Sequence, residues 1–98
     1  AYNAYEVNVT SDTTYEVGIN PSTDNPAYSE FRAQAVVYNE LTGQRTYHKL
    51  PVTSAGIPSS VMVFASAGEK LYLVVANTPS TIFNEFKAYT YDYLISPQ

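Results

Sequence analysis

The sequence predicts an all-β domain, an antiparallel two-sheet β-sandwich of Ig-like or jelly-roll-like type with about seven to eight strands. Three observations carry that expectation. Apolar and polar residues alternate with period two from end to end, no window holds an amphipathic helical stripe, and turn residues punctuate the chain about every 10 to 14 positions. A closed barrel is the alternative architecture. With 98 residues, 45% of them hydrophobic, the chain is read as one domain over 1–98, able to bury a core without metal or disulfide staples.

Tyr5, Val7 and Val9 alternate with Glu6, Asn8 and Thr10, and after Ser11-Asp12-Thr13 the pattern resumes as Tyr15, Val17 and Ile19 against Glu16, Gly18 and Asn20. These segments are a hairpin or two successive strands. NPSTDNPAYS, Asn20 to Ser29, is the clearest irregular connection, and its length makes it a place to look for function. In the strand that follows, Phe31, Ala33, Ala35 and Val37 form one face and Arg32, Gln34, Val36 and Tyr38 the other. NELTGQR is a hairpin turn with Gly43 at positive φ. The weakly patterned return strand, Thr46 to Val52, is confined to an edge, or ended, by Pro51.

After the turn SAGIPSS, Val61 to Ala65 reads as a buried strand and SAGEK as a tight hairpin loop around Gly68. LYLVVA is apolar on both faces, as a central strand covered on each side would be. Leu71, Leu73 and Val75 should then face Val61 and Val63 across the sandwich. NTPSTIFNE bridges to a final strand of about ten residues that includes KAYTYDYLI. Asp92 marks the wet face of that strand, so Tyr89, Tyr91 and Tyr93 are expected to turn inward, with their hydroxyls at the rim.

Composition narrows the function classes. Charged residues make up only 14%, against roughly 25% in typical soluble domains, so Ser, Thr, Asn and Tyr must cover the surface. There are ten tyrosines, no Trp and no Cys; disulfides, thiol catalysis and thiolate metal sites drop out together. The net charge is −4 and the five basic residues, Arg32, Arg45, Lys49, Lys70 and Lys87, look scattered along the chain. Without a basic stripe no nucleic-acid partner is expected. The longest apolar run, Leu71 to Ala76, falls far short of the roughly 20 residues that span a bilayer, so no membrane insertion is expected. The chain begins with Ala1 rather than Met, which fits a mature secreted protein or, better, a module of a longer one.

No catalytic constellation stands out, and the chain is not expected to be an enzyme. The one histidine, His48, has no acidic residue two positions away on its strand face. The carboxylates are dispersed over turns and polar faces rather than paired for glycoside hydrolysis. No cofactor is expected. Calcium is the one candidate, because Asn20, Thr23, Asp24, Asn25 and Glu30 could supply oxygen ligands, but any proline-rich turn uses the same residues. What remains is binding through aromatics and polar loops, which suits the apolar faces and hydroxyl edges of sugars. The candidate ligand-binding residues are Tyr28, Tyr38 and Tyr47, with His48 beside them at the rim and Phe83 as a further aromatic. Each aromatic has an alternative role as a plug over the end of the sandwich.

GEKLYLVVANTP (Gly68 to Pro79), a polar loop and then AYTYDYLI (Ala88 to Ile95) resemble the C-terminal β-sandwich modules of secreted bacterial mucin- or glycan-directed metallopeptidases and related hydrolases. The resemblance covers about the last 30 residues, where a hydrophobic strand ends in a Thr-Pro turn and returns as an alternating aromatic strand. It implies an accessory module without activity of its own, attached to a larger secreted or cell-surface protein and holding it near glycan or glycoprotein. No ligand-contacting motif of that family matches a position here. The expected function is therefore non-catalytic glycan or mucin binding. An Ig-like spacer or adhesin-type protein-interaction domain is the alternative, favoured by the lack of Trp, and a stand-alone secreted inhibitor or coat component is a third.

Overall fold

The computed structural model describes residues 2–78 and 89–98. Seven strands are formed among the described residues: β1 Tyr2–Asn8, β2 Thr13–Pro21, β3 Glu30–Tyr38, β4 Arg45–Lys49, β5 Ser59–Ala65, β6 Lys70–Thr78 and β7 Tyr91–Pro97. They build a four-stranded sheet in the order β1-β6-β3-β4 and a three-stranded sheet in the order β5-β2-β7, with every pairing antiparallel. The two-sheet sandwich expected from the alternation is present.

The inner rows come from the alternation itself. Phe31, Ala33, Ala35 and Val37 of β3 and Leu71, Leu73 and Val75 of β6 are buried beneath one sheet, against Tyr15, Val17 and Ile19 of β2 and Val63 and Ala65 of β5. The predicted facing of Leu71, Leu73 and Val75 with Val63 and the half-buried Val61 holds within this core. Truncating a side chain with no exposed surface, such as Leu73, removes its burial and leaves a cavity besides.

Two connections carry the chain from one sheet to the other; the first takes the second of its two expected forms, and the second differs from expectation. β1 and β2 are successive strands in different sheets, and SAGEK is a crossing from β5 in one sheet to β6 in the other rather than a hairpin. The turn is tight all the same, with Gly68 at φ +89. It is closed by the Glu69 N–H on the Ser66 carbonyl at 3.1 Å and tied to Val9, whose N–H donates to the Glu69 carbonyl at 2.9 Å and whose carbonyl accepts from the Gly68 N–H at 2.8 Å. Asp12 Oδ1 accepts from the Ala67 N–H at 2.9 Å. The two crossings thus brace one another, which glycine punctuation alone could not reveal. By contrast Asn39 to Arg45 is the predicted hairpin, with Gly43 at φ +75 and its N–H on the Asn39 carbonyl at 2.8 Å.

β6 is central, but among the described residues it is not covered on both faces. Leu71, Leu73 and Val75 are buried while Tyr72, Val74 and Ala76 between them are half-buried, beside the side chains of flanking strands. β4 is an edge strand, as its weak pattern and Pro51 imply. Four steps of chain from Lys49 to Thr53 face three from Gln34 to Phe31, so one extra residue is inserted where Pro51 cannot donate. That is a β-bulge, and it pushes the exposed Val52 outward.

The final strand starts and ends later than expected, and Lys87 and Ala88 lie outside the described residues. Asp92 faces water and Tyr91 and Ile95 pack on the core as predicted. Tyr93 is instead 51% exposed, because β7 is an edge strand and its inner row meets the open side of the sandwich.

The β2–β3 loop is held by Asn25, which is buried. Its Nδ2 donates to the carbonyls of Ser22 (2.9 Å) and Thr90 (2.7 Å), and its Oδ1 accepts from the Thr90 N–H at 2.9 Å. The side chain thereby supplies the acceptor for the Thr90 N–H and a second donor to the Thr90 carbonyl, which the Ser22 N–H also reaches. Asn25→Ala should therefore lower stability by about 1 to 2 kcal/mol, the lower part of the range for stranded backbone groups, because Thr90 is exposed and water partly replaces the lost bonds. Urea unfolding of the variant beside the parent measures this.

Candidate functional site

Antiparallel partners share a sheet face, so register alone maps the outer surface of the four-stranded sheet. Four rows cross it: Arg45, Tyr38, Lys70 and Asn8; Tyr47, Val36, Tyr72 and Glu6; Lys49, Gln34, Val74 and Ala4; then Arg32, Ala76 and Tyr2. The basic residues that look scattered in sequence are therefore gathered. Four of the five, Arg32, Arg45, Lys49 and Lys70, stand on this one face, because strand pairing brings β3, β4 and β6 side by side. Lys87, the fifth, lies outside the described residues.

Their electrostatic surroundings differ. Lys70 Nζ lies 2.6 Å from Glu40 Oε1 and 3.2 Å from Glu6 Oε1, and these hydrogen bonds, that to Glu40 first, raise its pKa. Arg32 Nε is bonded to Glu30 Oε1 at 2.7 Å, leaving the terminal nitrogens of its planar fork for another acceptor. Arg45 lies over the Tyr38 ring, 4.4 Å from its centre. Lys49 makes no ion pair among the described residues.

Where the bulge at Pro51 and Val52 lifts away from β3, a groove of about 250 Å3 opens on this face. Val74 and Ala76 contribute to its floor, Tyr2 closes one side, Lys49, Leu50 and Val52 close the other, and Arg32 and Gln34 lie between. Tyr2 is 79% exposed, so its ring is open to a ligand. The volume is below the roughly 300 to 1,000 Å3 of enclosing pockets. Such a groove touches one side of a ligand with an apolar floor, one aromatic ring and a few long donors.

The residues picked from sequence fall in three places. Tyr38 and the exposed Tyr47 share the groove's sheet face. His48 pairs with Ala35 and turns to the opposite, inner face, where it is half-buried. Tyr28 stands 45% exposed in the β2–β3 loop and does not join the face. Tyr38 itself is six positions from Arg32 along β3, roughly 20 Å away. Phe83 lies outside the described residues. Tyr2, Lys49 and Val52 were not singled out in sequence; the outward placement of Arg32 and Gln34 was legible, but their neighbours across the sheet were not.

The loop group considered for calcium is put to structural use. Ser22 Oγ accepts from the Asp24 N–H at 3.1 Å, while the Asn25 amide holds Thr90. Among the described residues no three Asp, Glu, His or Cys side chains gather closely enough to hold a metal ion. A second groove, of about 320 Å3, lies on the other sheet over Gly18, between Glu16, Ser60, Asp92 and Leu94. Tyr93 borders it, but that ring is stacked on Tyr5, centroids 3.8 Å apart. It offers a ligand carboxylates without a free ring.

Tyr93 belongs to an aromatic staple between β1 and β7. Tyr5 and Tyr91 share a hydroxyl hydrogen bond of 2.9 Å, Asn3 Nδ2 donates to Tyr91 Oη at 2.8 Å, and the Tyr91 ring meets Phe31 edge-on at 5.9 Å. Burial, then the bond to Tyr5, pushes the Tyr91 phenol up from 10.0 to about 12, with Asn3 acting in the opposite direction. Compared with family models, with curated proteins and with solved structures, the chain matches none.

A raised phenol pKa means that the folded state holds the proton more tightly. Its contribution to stability is complete below the ordinary value of 10.0 and is lost as pH climbs through about 12. Unfolding free energy measured across that window should fall with pH, and Tyr91→Phe should flatten the slope.

Proposed function

We propose that this domain is a non-catalytic carbohydrate-binding module that holds glycan or glycoprotein against the outer face of its four-stranded sheet. The observation that carries this reading is the groove beside Tyr2. There a largely exposed ring adjoins an apolar floor, with Gln34, Lys49 and the outer nitrogens of Arg32 as donors. Sugars present C–H faces to rings and hydroxyl edges to such donors, so a shallow groove can serve without closing over the ligand. Arg32 and Lys49 add a preference for sugars bearing carboxylate or sulfate.

In this reading the domain is attached to a larger secreted bacterial protein and adds local affinity without chemistry of its own. The similarity of Gly68 to Pro79 and Ala88 to Ile95 to accessory sandwich modules supports that setting. Binding at one shallow site is weak, and linked copies or a tethered enzyme gain by effective concentration.

On an array of mucin-type and plant glycans the domain should bind at least one class. Tyr2→Ala should weaken that binding about tenfold or more, equivalent to ~1.4 kcal/mol. Its melting temperature should stay unchanged, because the ring is mostly in water. Lys49→Ala should lower binding of acidic glycans more than of neutral ones. Silence across the array would favour a spacer or adhesin-type role instead.

A further inference from the structure

A sandwich of two open sheets has four edge strands, and an edge invites pairing unless charge, proline or a bulge guards it. β1 carries Glu6, β4 carries Arg45 and Lys49 with Pro51 just beyond, and β7 carries Asp92 and Pro97. β5, Ser-Ser-Val-Met-Val-Phe-Ala from Ser59 to Ala65, carries no charge, and its one proline guard is Pro58, just before the strand, which leaves Ser60 to Ala65 unguarded. Among the described residues it pairs with β2 alone.

The ladder shows which backbone groups are left over. The Ser22 N–H donates to the Thr90 carbonyl at 3.1 Å and the Gln98 N–H to the Thr14 carbonyl at 2.9 Å, so even-numbered residues of β2 bond towards β7. Bonding alternates along an antiparallel strand, so odd-numbered residues of β2 bond towards β5. They face Ser59, Val61, Val63 and Ala65, and the Gly56 N–H on the Pro21 carbonyl at 2.9 Å continues the same series. Ser60, Met62 and Phe64 therefore aim their N–H and C=O groups at the open edge. Their side chains stand on the outer sheet face, with Met62 53% and Phe64 57% exposed.

We propose that this edge pairs with the same edge of a second copy of the chain, antiparallel about a two-fold axis at Met62. The three edge-facing residues are symmetric about Met62, so Met62 meets its own copy and Ser60 meets the partner's Phe64. On the order of six backbone hydrogen bonds form, and two three-stranded sheets become one six-stranded sheet. Of the four edges a second copy presents, this uncharged one is the edge it can pair with itself without setting charge against charge. Glu16 shares a row with Met62, which places it about 14 Å from its counterpart across three strand spacings, well beyond the ~8 Å screening length at physiological salt. The same operation on β4 about Tyr47 would set Arg45 against the partner's Lys49, like charge on like.

The cysteine-free sequence gives a clean test. In sedimentation of the full chain up to about 1 mM, a dimer near −4 kcal/mol or tighter is detectable, and the parent should dimerise with concentration. Met62→Lys should be monomeric with an unchanged circular dichroism spectrum. Under mild oxidation Met62→Cys should give a disulfide-linked dimer, since paired Cα atoms lie about 5.5 Å apart. Ser60→Cys alone should not, and Ser60→Cys with Phe64→Cys together should restore the cross-link. A parent monomeric throughout, a dimer that survives Met62→Lys, or Ser60→Cys cross-linking as readily as Met62→Cys would each overturn the proposal.

Discussion

The register of β6 is the constraint on which both the core and the candidate site depend. This strand is hydrogen-bonded on both flanks, to β1 and to β3, and its side chains alternate strictly between the sandwich interior and the outer face. Leu71, Leu73 and Val75 on one side and Lys70, Tyr72, Val74 and Ala76 on the other are two readings of one pairing. A slip of one residue would exchange them, exposing the leucines and burying a lysine held by two carboxylates. Burying that charge and losing the apolar row both oppose the slip. The same register sets Val74 and Ala76 beneath Tyr2, Arg32 and Gln34. The groove's floor is thus positioned by core packing, and the segment after β4 adds one wall through Leu50 and Val52.

How far the sequence speaks depends on whether a feature is local. Alternation is local, so the face of each residue on β2, β3 and β6 could be read directly, as could the hairpin at Gly43 and the weak edge strand before Pro51. Partner choice is not local. SAGE around Gly68 has the composition of a hairpin, yet Val9, almost 60 residues earlier in the sequence, ties the turn down and the chain changes sheet. The site suffers from the same limit. Arg32 and Gln34 were visibly outward, but only the β1–β6–β3–β4 order puts them between Tyr2 and Lys49. Attention to loops and irregular strands picked Tyr28 and His48, which the topology sends to the β2–β3 loop and to the inner sheet face.

Electrostatics sharpen the face further. The chain is acidic overall, with nine carboxylates against five basic groups, and still concentrates four of those basic groups on one surface. Glu6, Glu30 and Glu40 neutralise Lys70 and part of Arg32, so the surface is no counterion-releasing stripe for duplex nucleic acid. The positive charge left without a carboxylate partner lies with Arg45 and with Lys49. Lys49 borders the groove, whereas Arg45 lies over Tyr38 at the other end of the face. The field at the groove is therefore short-ranged, and under the proposed reading the ring and floor would matter to a glycan there as much as charge.

The two lateral sides of the sandwich are closed in different ways, and this explains the conspicuous tyrosines of the last strand. Between β1 and β7 the gap is spanned by side chains of both sheets: Tyr93 stacks on Tyr5, and Tyr91 is bonded to Tyr5 and Asn3 while its ring edge meets Phe31. A tyrosine suits that position because its ring fills the apolar gap while its hydroxyl stays at the wet rim. The expected inward turn of Tyr91 is thus correct in direction, but the edge location converts a core role for Tyr93 into a staple at the surface. No equivalent aromatic staple joins β4 to β5 among the described residues. There β4 carries its cations and β5 carries none, so the side chains that exclude a further strand from one side of the sandwich are missing from the β5 edge.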